Sequence, residues 1–279
     1  MKPGGETVAW VLTLATRKGG CGKTSLAVNL LGVVASEGLS VALVDLDSQA
    51  SASRWALGRD AVDRLEREET AWALASLQSS GPGAVVGLQS SPAAPVAVVQ
   101  PAAAAVARCV HEVAGVAGAV IVPTAPQCRL DQVRELSLRE LPVDVVIVDT
   151  PPDVGAPVVR AALRQSDAVL APVVVEAWGL EAAPEIVGAV RDAGRHDLPV
   201  RFVVNLRQRR ALHDAIETVL RREYRDAVLK AVVSNSAQVA ESAARGAPLS
   251  AFAPRSACAK VMVSVWREVA KLRRAATAA

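Results

Sequence analysis

The sequence predicts an α/β fold: a doubly wound, mostly parallel sheet with helices on both faces. Three observations predict it. Six apolar segments without polar alternation recur along the chain, as strands covered on both faces require. Segments of helical period lie between several of them. A glycine-rich turn joins the first strand to the first helix. The 279 residues read as a single domain spanning 1–279, and 51% apolar with 21% charged residues supplies a buried sheet and excludes a disordered chain. Aromatics are only 3%, so Ala, Val and Leu must fill the core.

The elements follow in order. Val8 to Ala15 (VAWVLTLA) is the first strand, and SLAVNLLGVVASEG after Thr24 keeps helical spacing until Gly38, a C-terminal stop. Strands are then expected at 41–47 (VALVDLD), 143–150 (VDVVIVDT), 167–175 (DAVLAPVVV), 199–205 (PVRFVVN) and 226–233 (DAVLKAVV). Helices are expected at 158–165, 180–193 and 211–224. The stretch from Ser256 to Ala275 reads as an amphipathic helix, with Val261, Val265, Val269 and Leu272 on one side and Lys260, Arg267, Lys271 and Arg274 elsewhere. Gln78 to Pro126 is rich in Ser, Pro, Gly and Ala. It suits a linker, yet Val96–Val99 and Ala119–Val122 are apolar runs able to add strands.

No uninterrupted apolar run reaches membrane-spanning length, and Met1 to Glu6 is too short and polar for a secretion signal, so a cytoplasmic protein is expected. Cys21, Cys109, Cys128 and Cys258 are scattered without a C-x-x-C pair, which argues for four reduced thiols. The net charge of +3 hides an asymmetry: residues 1–190 carry 14 Lys/Arg against 20 Asp/Glu, and residues 191–279 carry 17 against 8. A basic C-terminal third attracts polyanions, although a solvated arginine-rich surface has the same composition.

Three pieces carry chemistry. The first turn reads Thr16-Arg17-Lys18-Gly19-Gly20-Cys21-Gly22-Lys23-Thr24-Ser25. Its glycines let backbone N–H groups face phosphate oxygens, the next helix adds its dipole, Lys23 neutralises β/γ-phosphates and Thr24 suits Mg²⁺. The second strand ends in Asp45-Leu46-Asp47-Ser48-Gln49, at the carboxyl edge where ligands bind in such sheets; alone, such an Asp pair equally suits a helix cap. The third is Val145 to Pro152 (VVIVDTPP), an apolar strand ending in Asp149, which presents a carboxylate to a metal's hydration shell. The prolines after it leave Asp153 to Ala156 as a loop.

One departure from the common G-x-x-x-x-G-K-[ST] spelling is that Arg17 stands where the first glycine belongs, with Lys18 beside it. KGGxGKT resembles the deviant Walker A P-loop of the ParA/MinD family of ATPases, most nearly its ParA-type (Soj-like) partition branch. The resemblance covers about 8–58 and 140–272. It implies a P-loop NTPase fold, ATP and Mg²⁺ as cofactors, and ATP hydrolysis. It makes Lys18 the signature lysine that reaches a partner's phosphates across a nucleotide-sandwich homodimer, and Lys23 the lysine acting in cis. It further implies that residues Lys18–Ser25 bind nucleotide, Asp47 positions the attacking water, Asp45 contacts Mg²⁺ or water, Thr24 and Asp149 serve the metal, and Asn205 meets adenine. Ser48 departs from the family's usual proline. The family's partition members bind double-stranded DNA without sequence preference over the nucleoid and answer to a ParB-type activator. Candidate DNA contacts are Arg207, Arg209, Arg210, Arg245, Arg255, Lys260 and Arg267. Too few residues precede the first strand for an N-terminal helix-turn-helix. A MinD-like membrane positioner is the alternative; the weak Val/Ala face of the last helix points instead to core packing, and no membrane partner is expected. An iron–sulfur carrier is disfavoured because no cysteine closely follows DTPP.

Overall fold

The computed structural model describes residues 8–57, 111–112, 116–122, 138–176 and 179–278. In chain order these form β1 (Trp10–Leu14), α1 (Lys23–Ser36), β2 (Val41–Asp45), α2 (Ser51–Leu57), β3 (His111–Glu112), β4 (Ala119–Val122), β5 (Val145–Asp149), α3 (Pro157–Gln165), β6 (Ala168–Val174), α4 (Gly179–Asp192), β7 (Val200–Arg207), α5 (Ala211–Tyr224), β8 (Val228–Ser234), α6 (Ala237–Arg245), α7 (Leu249–Phe252) and α8 (Ala257–Ala278). The sheet order is β3-β4-β2-β5-β1-β6-β7-β8. Every neighbouring pair is parallel except β3 with β4. Ala119–Val122 is therefore a strand; Val96–Val99, Cys109 and Cys128 lie outside the described residues. Strand β7 runs two residues past Asn205, where the sequence reading ended it.

Strand periodicity divides the core into two layers. Trp10, Leu12 and Leu14 of β1 and Val145 and Ile147 of β5 face α1 and α8. Val11, Val146 and Val148 face the layer of α3, α4 and α5. Because both faces are covered, the strands read as continuous apolar runs. Helix α1 stops at Ser36, with Gly38 following at φ 81°. In α8, Met262, Val265, Trp266 and Val269 are buried, and Trp266 Nε1 donates to Glu37 Oε2 at 2.8 Å. The apolar side of the last helix is thus spent on the core. Glu268 of α8 accepts from Lys230 N and Ala231 N, both at 2.8 Å, where the pairing of β8 with β7 is irregular. None of the described helices is long and apolar enough to cross a membrane.

Chain direction reverses around β1: β2 lies on one side, β6 on the other. The crevice at the carboxyl ends of these strands is where a ligand binds in an open α/β sheet.

Candidate nucleotide-binding site

The glycine-rich loop fills that crevice. Gly20 and Gly22 adopt left-handed backbone, φ 75° and 84°, a region that costs other residues about 1–2 kcal/mol. Gly22 is also required sterically, because a Cβ there would stand 2.4 Å from Asn205 Nδ2. It caps α1 with no side-chain hydrogen bond, and the first turn of α1 holds no acidic residue. The helix therefore presents its unpaired N–H groups and positive dipole end to an incoming anion. Lys23 is only 6% exposed. Lys18 is exposed, and the wall of the cleft begins one residue later, at Gly19. Arg17, in the place of the first glycine, pairs with Glu185 of α4 and ties the start of the loop to that helix.

Asn205, which the family resemblance places near adenine, also braces the glycine-rich loop. Its Nδ2 donates to Cys21 O at 2.7 Å, and the side chain is buried. Cys21 Sγ in turn lies 3.1 Å from Lys18 O. A loop two strands away from β7 is thus held from beneath.

Asp45 and Asp149 end adjacent strands and face each other in register. Both are fully buried. Burial lifts the Asp149 carboxyl to about 7, with the charge of Asp45 adding to the rise and the Thr24 hydrogen bond and Lys23 opposing it. Thr24 Oγ1 donates to Asp149 Oδ2 at 2.7 Å, whereas Asp149 Oδ1 is buried with no partner among the described residues. An orphaned carboxylate oxygen costs ~1–3 kcal/mol. Next to a threonine hydroxyl and a phosphate-binding loop it fits a hard, oxygen-seeking cation, directly or through its water. Burial also raises Asp45, to about 6, against its own hydrogen bonds. Its oxygens are taken by Ser53 N at 2.9 Å, Ser53 Oγ at 2.7 Å and Asp47 N at 3.1 Å. The family resemblance gives Asp45 a Mg²⁺ or water contact; in the fold its oxygens also anchor α2, and the oxygen without a partner among the described residues belongs to Asp149. Asp47 lies on the turn between β2 and α2, lines the cleft and accepts Gln49 N at 3.0 Å.

The cleft encloses ≈ 1110 Å³. Its walls include Gly19–Ser25, Asp47, Pro152 and Arg245, together with residues that the sequence alone does not single out: Arg54 and Trp55 of α2, Leu206 near the end of β7, and Ala243, Ala244 and Gly246 around the end of α6. Trp55 Nε1 donates to Ser242 O at 2.9 Å and pins α2 to α6. A seven-residue helix offers too few positions for a periodic signal. The only hint was a tryptophan soon after the Asp pair in a chain poor in aromatics.

The seven basic candidates are scattered. Arg207 pairs with Asp214 and Glu217. Arg245 belongs to the wall of the cleft, pairs with Glu241 at 2.7 Å and lies over Phe252. Arg209 and Arg210 are exposed just past β7, Arg255 is exposed before α8, and Lys260 and Arg267 are exposed along α8.

Known proteins resemble this chain in sequence and in fold. Residues 12–249 match the model of the CobQ/CobB/MinD/ParA nucleotide binding domain. The chain is 28% identical over 266 residues to the sporulation initiation inhibitor protein Soj of Bacillus subtilis, covering 93% of this chain and 98% of that protein. It is 30% identical over 251 residues to the chromosome-partitioning ATPase Soj of Thermus thermophilus, covering 88% and 89%. In three dimensions it matches a plasmid partition protein of Borrelia burgdorferi with a TM-score of 0.62 at 16% identity, over 94% of this chain and 99% of that one. Because the match over residues 12–249 spans most of the chain, the chain belongs to the CobQ/CobB/MinD/ParA family of nucleotide-binding domains.

Proposed function

We propose that this protein is a ParA-type partition ATPase formed as one domain. On this reading it binds ATP with Mg²⁺, closes into a nucleotide-sandwich homodimer, and binds double-stranded DNA without sequence preference. A ParB-type activator then stimulates hydrolysis, so that plasmid or chromosomal cargo is moved or placed over the nucleoid of the cytoplasm. The observation that carries the nucleotide chemistry is the orphaned Asp149 Oδ1 beside Thr24, at the foot of a helix whose N-terminus has no side-chain cap. Thr24 and Asp149 would hold Mg²⁺, which supplies charge neutralisation at the β- and γ-phosphates. Lys23 and the loop N–H groups orient the triphosphate. Asp47, half-buried on the cleft wall, holds the attacking water in line. Lys18, exposed ahead of its own cleft, supports a role toward the partner's triphosphate.

The rival reading, a membrane-positioning ATPase anchored by its last helix, loses its main support because the apolar side of α8 packs on α1 and β8. Co-sedimentation with random duplex DNA and with anionic vesicles, each with and without ATP, tests the choice. ATP-dependent pelleting with DNA alone is expected. Pelleting with vesicles, or DNA binding indifferent to nucleotide, would refute the partition reading.

A further inference from the structure

The turn that carries Asp47 is held by one backbone hydrogen bond and by two that the Asp45 and Asp47 carboxylates accept. Ala50 N donates to Asp47 O at 2.8 Å, Gln49 N to Asp47 Oδ1 at 3.0 Å and Asp47 N to Asp45 Oδ1 at 3.1 Å. Ala50 is buried and left-handed, φ 51°, an uncommon conformation for a residue with a Cβ. The carbonyl of Gln49 is closed from outside this set by Arg54, whose Nη1 donates to it at 2.9 Å. Arg54 is half-buried on α2 and lines the same cleft as Lys23, Thr24 and Asp47. One guanidinium thus touches the main chain of the catalytic turn and borders the space where the triphosphate enters.

We propose that Arg54 is a triphosphate-sensing residue, which exchanges the Gln49 carbonyl for the terminal phosphate and so makes the position of the Asp47 turn depend on that phosphate. This rests on the cleft being an ATP site with Asp47 beside the γ-phosphate. A phosphate oxygen is a stronger acceptor for a guanidinium than a neutral carbonyl, and the planar fork suits it. A diphosphate lacks the terminal group and leaves Arg54 on Gln49. Nucleotide type is then read by a side chain of α2 that also holds the Asp47 turn, and not by the glycine-rich loop alone. The bland reading is that Arg54 is only a tie across the turn.

Calorimetric titration of ADP and of AMPPNP, both with Mg²⁺, separates these. Arg54→Gln keeps a neutral donor for the Gln49 carbonyl and removes the charge; Arg54→Ala removes both. Arg54→Gln is expected to lose about tenfold in AMPPNP affinity and to hold ADP affinity within about twofold, with an unchanged melting temperature. Arg54→Ala should show the same asymmetry. Equal losses for the two nucleotides, or no loss with either, overturn the proposal. The parent protein separates the two levels: if it binds neither nucleotide, the ATP-site reading itself fails. If it binds both and Arg54→Gln behaves as the parent does, only the role of Arg54 fails.

Discussion

The carboxyl edge of the sheet and the basic C-terminal third hold charge in opposite ways. At the edge, Lys23, Asp45 and Asp149 are 6%, 0% and 0% exposed, and one oxygen of Asp149 has no partner among the described residues. In the basic third the cations lie at the surface, and several are already answered: Arg207 by Asp214 and Glu217, Arg221 by Glu217, Arg245 by Glu241. Burying an ion costs several kcal/mol unless it is paired, whereas an exposed pair is worth ~0–1 kcal/mol. The edge therefore concentrates its function in single side chains that nothing can replace. The basic third spreads whatever it does over a sum of small contributions.

Substitutions at the edge should accordingly have the largest effects. Lys23→Ala removes the buried cation that faces the phosphates. ATP affinity is expected to fall by about a hundredfold or more, since breaking a buried charge contact costs ~3–5 kcal/mol. Titration with a fluorescent ATP analogue checks this, and retained affinity would remove the phosphate-loop assignment. Asp47→Ala should come next. It leaves the loop intact, so ATP binding persists, while turnover falls by about 10²-fold or more, as for loss of a residue that directs the attacking water. On the proposed reading ATP then traps a dimer visible by size-exclusion chromatography with light scattering; a monomer in saturating ATP counts against the sandwich.

The buried carboxylates also give the apo protein a pH signature. Asp149 is lifted from 3.8 to about 7 in the folded chain. Folded protein thus holds this proton more tightly than unfolded protein does. Stability is greatest below about pH 4 in this respect and is lost as pH rises toward 7, a loss on the order of 4 kcal/mol. Thermal melts in chelator between pH 5 and 8 should show a falling midpoint for the parent and a flatter line for Asp149→Asn. Identical slopes would mean that Asp149 is ionised at no unusual cost.

What was legible in the sequence follows from the same contrast. Strands covered on both faces leave contiguous apolar runs, so β1, β2, β5, β6 and β7 were visible, and the loop and strand-end carboxylates fall inside or directly after such runs. Roles set by distant partners were not visible. Nothing local to Asn205 shows that Cys21 O, 184 residues away, receives its amide. That Asp45 also anchors α2 through the backbone and hydroxyl of Ser53 has no local signal, because Ser53 lies on a helix too short to be read. Two-residue β3 has no pattern at all. The surface cations were the least legible, since an arginine's neutralising carboxylate is chosen by tertiary packing and not by spacing.

Among those cations the smallest effects are expected, and they sharpen the comparison most. Phosphate contacts release counterions, so each one lost should lower the slope of log affinity against log salt by ~1. Arg209 and Arg210 are exposed just beyond β7 on the cleft side of the sheet. Replacing both with Ala should weaken binding to random duplex DNA in ATP by about tenfold and reduce that slope by ~2. Arg245 already has Glu241 at 2.7 Å and the Phe252 ring at 5.1 Å, and a DNA phosphate would have to compete with both. Arg245→Ala should therefore leave the slope within ~0.5 of the parent value. Filter binding across a salt series measures both. If Arg245→Ala lowers the slope as much as an Arg209 substitution does, then pairing with a neighbouring carboxylate does not silence a surface cation, and the division between a buried edge that acts by single residues and a rim that acts by unpaired charge no longer holds.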